Sequence, residues 1–110
     1  MMARGLVAAL GRLDGVREAT LCSPDGMVIE SSSGSPELSQ AAMSLQAALG
    51  ALQGALLNMG GPVTLTMDTP KGTLHLSQSS AGVLVVSTTN AANQGAVRIE
   101  MREALRALGG

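Results

Sequence analysis

The stretch that decides the fold runs from Val63 to Val86, VTLTMDTPKGTLHLSQSSAGVLVV. Its first part alternates. Val63, Leu65 and Met67 are apolar and Thr64, Thr66 and Asp68 polar, which is the period of two that a half-buried strand requires. Pro70-Lys71-Gly72 supplies turn chemistry, and the alternation resumes with Leu74 and Leu76 against Thr73, His75 and Ser77. A second turn over 79–82 leads into Val83-Leu84-Val85-Val86, the continuous apolar run of a central strand covered on both faces. Connections of hairpin length make these three strands antiparallel neighbours.

Toward the N-terminus, Gly60-Gly61-Pro62 closes a long helix that opens at Ser35-Pro36-Glu37. There a hydroxyl cap, a proline in the first turn and an acid near the positive helix end coincide. Leu38, Leu45, Leu52 and Met59 repeat every seven residues and, with Ala41, Ala48, Leu49, Ala55 and Leu56, form a wide core-facing stripe. On another side Met43, Ala47, Gly50, Gly54 and Leu57 line up at spacings of three and four. Glycine inside a helix costs roughly 1 kcal/mol relative to alanine. Either the composition is indifferent to Gly and Ala, or this face lets a second backbone approach. A helix that is apolar on two sides and uncharged wants cover on both.

Further out, Ala19 to Ser23 and Met27 to Ser31 flank Pro24-Asp25-Gly26 and are expected to form a hairpin. Before them, Leu6, Val7, Leu10 and Leu13 recur at helical spacing and stop at Asp14-Gly15. At the other end a helix begins near Asn93, with Val97, Met101, Leu105 and Leu108 inward and Arg98, Arg102 and Arg106 outward. The element order is α-β-β-α-β-β-β-α in one α+β domain.

Composition narrows the function. The 110 residues are 45% hydrophobic and 14% charged, and they include no Phe, Tyr or Trp. That excludes a disordered tail and leaves Leu, Val, Ala and seven Met to build the core. Without aromatic platforms or excess positive charge (the net charge is −1), nucleic acid is not an expected partner. The uncharged interval from Leu38 to Met67 carries Gln40, Ser44, Gln46, Gln53 and Asn58, so no membrane insertion is expected. One cysteine, Cys22, makes no internal disulfide, and no cleavage pattern follows Leu6–Leu10, so a cytoplasmic setting is expected.

Little catalytic chemistry is legible. The single lysine, Lys71, precedes a glycine in a hairpin turn, so no phosphate loop exists. His75 lacks companion ligands and is expected on the polar face of its strand. Cys22 reads as a small packing residue. Asp14, Glu18, Asp25, Glu30 and Asp68 are expected as solvated charge at turns and strand ends, Asn93 as a helix cap. The arginine row reads either as a solvated face near a helix C-terminus or as a contact for a partner's acids. No catalytic residue, metal or cofactor is expected.

In order and separation, Leu13-Asp14-Gly15-Val16, Ser23-Pro24-Asp25-Gly26, and Val83-Leu84-Val85-Val86 leading to Asn93-Gln94-Gly95-Ala96-Val97-Arg98 resemble the roadblock/LC7 family. The resemblance extends over almost the whole chain. It implies a profilin-like three-layer α/β/α sandwich, with the long helix on one face of a five-stranded antiparallel sheet and the terminal helices on the other. It also implies dimers in which the third strands pair across the axis and the long helices lie side by side. Bacterial members similar to this chain are partners of Ras-like small GTPases, and the partner of the polarity-switch GTPase in gliding bacteria is an activating protein. Eukaryotic relatives are motor light chains and scaffold subunits. The dimer contact is accordingly expected at Val63, Thr64, Leu65, Thr66 and Met67, where no Lys or Glu blocks edge pairing. The GTPase contact is expected at Met43, Ala47, Gly50, Gly54 and Leu57. A GTPase regulator and a dimeric scaffold without effect on hydrolysis both remain open.

Overall fold

The computed structural model describes residues 3–23, 27–32, 44, 64–79 and 82–108. Along the chain they form α1 (Ala3–Gly11), β1 (Val16–Cys22), β2 (Val28–Ser31), β3 (Thr64–Thr69), β4 (Gly72–Ser79), β5 (Gly82–Thr88) and α2 (Gln94–Ala107). The long helix expected over 36–59 lies outside the described residues except for Ser44, which is helical and exposed. The expected third layer is therefore not described.

The strands make one sheet in the order β2-β1-β5-β4-β3, antiparallel at every junction. The expected central strand is central: Val83, Leu84, Val85 and Val86 are each 0% exposed. Successive strand residues point to opposite faces, and two clusters result. Leu84, Val86, Ala19 and Leu21 pack with Val7 and Leu10 of α1 and with Val97, Met101, Ala104 and Leu105 of α2. Val83, Val85, Cys22 and Leu76 cluster on the other face. Burying one such side chain stabilises the fold by about 1.5–3 kcal/mol, and Leu84→Ala would cost about 2–5 kcal/mol.

The helices have identifiable boundaries. Asn93 is the expected cap, its side-chain oxygen accepting from the backbone N–H of Ala96 at 3.0 Å. After α1 the chain reverses at Gly15, where φ is +84° and a Cβ would come within 2.5 Å of the Ala92 side chain. Only glycine meets both demands without strain.

β1 begins three residues before its expected start. Arg17 and Glu18 obscure it in the sequence, but Val16 and Glu18 pair with Thr88 and Ser87 around an irregularity in the register. The expected hairpin forms between β1 and β2. It is closed by Ser23 N–H to the Met27 carbonyl at 2.7 Å, while Pro24, Asp25 and Gly26 lie outside the described residues.

Candidate functional site: the β3 edge and the polar network behind it

Two strands end the sheet. β3 pairs with β4 without interruption, from Thr64 opposite Ser77 to Thr69 opposite Gly72. Alternation puts Leu65 and Met67 on the face of Leu74 and Leu76, and Thr64, Thr66 and Asp68 on the face of Ser77, His75 and Thr73. Leu65 is half-buried, whereas Thr64, Thr66, Met67, Asp68 and Thr69 are exposed. The only lysine near the strand, Lys71, follows it in the turn. Among the described residues no strand pairs with the outer side of β3, a regular edge of the kind that accepts another strand.

Of the residues expected at a dimer contact, Thr64, Leu65, Thr66 and Met67 lie together on this edge, and Val63 is outside the described residues. Met43, Ala47, Gly50, Gly54 and Leu57, expected to meet a GTPase, are all outside them.

His75 lies on the polar face of its strand, as expected, and that face is covered: His75 is 0% exposed, Ser77 4% and Thr73 6%. The ring stands under the first turn of α2, with Nε2 2.8 Å from Gln94 Oε1. Gln94 Nε2 donates to the Thr89 carbonyl at 3.0 Å, which orients the amide. Its Oε1 therefore faces the ring and also accepts the Thr88 hydroxyl at 2.9 Å. His75 must donate through Nε2, so Nδ1 accepts from the Thr66 hydroxyl at 3.2 Å. One rung on, the Thr73 hydroxyl donates to Asp68 at 2.9 Å.

A continuous polar path thus joins the edge strand to α2. In the sequence its signal is faint but real. The β3–β4 hairpin makes Thr66 face His75, and Gln94 immediately follows the helix cap.

Cys22 is 1% exposed, as a packing residue should be, and burial pushes its thiol up from its ordinary value. Glu18 is not a solvated strand-end charge: it sits within β1 opposite Ser87, and its Oε2 is buried without a hydrogen-bond partner. Nothing in the described structure accounts for it.

The outward row of α2 is exposed as expected. Arg106 meets Glu103 at 3.3 Å with both side chains largely in solvent, a pair worth at most about 1 kcal/mol. Among the described residues no group of three His, Cys, Asp or Glu could hold a metal, and no helix is long and apolar enough to cross a membrane. A shallow groove of about 340 Å³ between α1 and α2 is floored by Leu6, Leu10 and Leu13 and rimmed by Glu100 and Glu103.

The fold and its open edge define a small α+β domain built around a five-stranded antiparallel sheet, with a helix at each end of the chain. Residues 2–88 match the model of the Roadblock/LC7 domain, and the chain belongs to that family.

Solved structures agree in fold. A Roadblock/LC7 domain from Streptomyces avermitilis superposes with a TM-score of 0.77 at 21% identity, over 94% of this chain and 92% of that one. The gliding protein MglB from Thermus thermophilus gives a TM-score of 0.77 at 22% identity, over 96% and 84%. MglB in a tetrameric arrangement gives 0.78 at 22%, over the same shares. No functionally curated protein matches the chain.

Proposed function

We propose that this chain is a homodimeric regulatory partner of a Ras-like small GTPase, with no chemistry of its own, working in the cytoplasm. The observation that carries the dimer is β3: a regular six-residue strand at the sheet edge, exposed along nearly its whole length. An isologous contact there buries identical open edges against each other. Self-association within this fold also has a precedent in the tetrameric MglB. The GTPase reading rests on family membership together with the resemblance to bacterial GTPase partners.

In the dimer, the two long helices provide the docking floor. Met43, Ala47, Gly50, Gly54 and Leu57 form the contact, small enough at its centre for a second backbone to approach. Any effect on hydrolysis then comes from repositioning the GTPase's own catalytic groups, a bias on an existing equilibrium. Arg98, Arg102 and Arg106 are not assigned as an arginine finger, because they project from a regular helix on the opposite face of the sheet.

Capture on the immobilised dimer, from a lysate containing a non-hydrolysable GTP analogue, tests this. Recovery of a Ras-like GTPase in its GTP form, lost in Gly54→Arg while the dimer mass persists, is the expected result. Recovery of a kinase or receptor complex without a GTPase would favour the second reading, a dimeric scaffold. Met27, Val28 and Ile29, exposed at the opposite edge of the sheet, give that reading a separate apolar surface.

A further inference from the structure

We infer that the two copies pair through β3 in the one register that places Thr66 on the two-fold axis, and that His75 holds Thr66 in position for it. This rests on the homodimer reading and goes beyond it, because an open edge alone does not say which residue meets which.

A two-fold axis normal to the sheet returns each face to itself. Residues opposite one another must then share a face, and the axis falls on a residue rather than between two. Three positions deserve comparison. With the axis on Leu65, Thr64 falls against Thr66 and Leu65 against itself, and Asp68 falls against position 62, which the sequence makes a proline without an N–H. With the axis on Met67, Leu65 falls against Thr69, and Thr64 against Pro70.

With the axis on Thr66, Leu65 meets the partner's Met67 on one face. Thr64 meets the partner's Asp68 on the other, and Thr66 meets itself. Apolar then faces apolar, polar faces polar, neither proline falls opposite Thr64–Asp68, and the two Asp68 carboxylates stay apart. Cross-strand pairs of these kinds each favour a register, and like charges directly opposite oppose one.

The network behind the edge selects the same residue. The Thr66 hydroxyl donates to His75 Nδ1 at 3.2 Å, and His75 is fixed in turn by Gln94 at 2.8 Å. The proton of that hydroxyl is already committed, so Thr66 presents a preset rotamer to its copy. Less side-chain freedom is then lost on association. His75 is a positioning residue: it acts through Thr66 and touches no partner.

Cysteine cross-linking reads the register. Residues directly opposite in an antiparallel pair have Cα atoms about 4.5–5.5 Å apart, within the disulfide range of about 4.4–6.8 Å. A residue off the axis is displaced from its own copy, by about 8 Å for Met67 and about 14 Å for Thr64. The native Cys22 is buried, so unmodified protein is the control.

Mild oxidation should cross-link Thr66→Cys, and leave Thr64→Cys, Met67→Cys and the control as separable chains. A dimer mass with cross-linking at Thr64 or Met67, or at no position, overturns the register while sparing the dimer. A monomer mass for the unmodified protein overturns the homodimer reading itself.

The chain has one histidine, so its ¹⁵N spectrum tests the positioning role without assignment. The Nε2–H tautomer is expected. In Thr66→Val the Nδ1 resonance should move while Nε2 does not, and the dimer dissociation constant should rise about three- to tenfold, the worth of one ordinary hydrogen bond. An Nδ1–H tautomer, or an Nδ1 signal indifferent to Thr66→Val, removes His75 from the role.

Discussion

β3 offers six residues in unbroken register with its neighbour; β2, at the opposite end of the sheet, offers four and is bulged. Val28 pairs with Cys22 and Glu30 with Leu21, which leaves Ile29 as the extra residue. By apolar exposure alone β2 is the better candidate for an interface, with Met27, Val28 and Ile29 at 68%, 48% and 49%. By backbone geometry it is the worse one, since a short, bulged strand twists its edge away from pairing. Hydrophobic exposure and strand accessibility thus separate on this molecule. An edge is recruited by its ladder of free backbone groups, and the side chains then set register and affinity.

Met67→Lys carries the largest expected effect. Met67 is 39% exposed in the single chain, so a lysine there extends into solvent and the fold survives. In the paired edge, each lysine would be buried against the partner's Leu65 without a counter-charge. The dimer dissociation constant should rise by about 100-fold or more, measured by light scattering across a dilution series. An unchanged dimer mass in Met67→Lys would show that β3 is not the contact.

His75→Phe should come next. It keeps a ring in the buried site but leaves the Thr66 hydroxyl without its acceptor and Gln94 Oε1 with one donor fewer. Thr66 is exposed and Gln94 Oε1 keeps the Thr88 hydroxyl, so the expected loss is that of two hydrogen bonds at about 0.5–1.5 kcal/mol each. Urea unfolding at fixed protein concentration checks this, since dimer stability depends on concentration. No loss of stability would show that the path behind β3 is incidental to it.

This path also marks where legibility in the sequence ended. Alternation over 63–77 revealed both strands and the parity of His75, because the period of two is dictated by the backbone. It did not reveal that the polar face would be covered, because burial depends on where α2 lands, and one side chain of that helix, Gln94, decides it. The start of β1 was hidden for a related reason: Arg17 and Glu18 look like loop residues, yet β5 supplies the pairing that makes them strand. The central run 83–86, the cap Asn93 and the arginine face were legible because each depends on local chemistry or on hydrophobicity alone. For the GTPase contact, the residues that were singled out lie outside those described, and the pattern of small residues remains their whole support.

Ser32→Ala probes the corresponding tie at the other edge. Ser32 Oγ accepts from Ala19 N–H at 2.9 Å, and Ser32 N–H donates to the Ala19 carbonyl at 2.9 Å. The substitution removes the first bond and leaves the second, on a residue that is itself exposed. A loss of about 0.5–1.5 kcal/mol in unfolding free energy is expected, with the dimer dissociation constant unchanged. A weakened dimer would mean that β2 takes part in association.

The smallest expected effect belongs to Ile29→Lys, and it sharpens the comparison most. Ile29 is the extra residue of the bulge and about half exposed, so it belongs to no rung of the ladder and gives up little burial on substitution. Lysine can lay its methylenes where the isoleucine lay and carry its charge into water. Stability should change by no more than about 0.5 kcal/mol, and the dimer mass should be untouched. Lysine on an edge is also the residue that most deters strand addition, so the same substitution applied to the true interface would be ruinous, as Met67→Lys is expected to be. The two variants therefore form one experiment. Loss of the dimer in Ile29→Lys with its retention in Met67→Lys would reverse the assignment of edges and make apolar exposure, rather than an unbroken ladder, the feature that recruits the second copy.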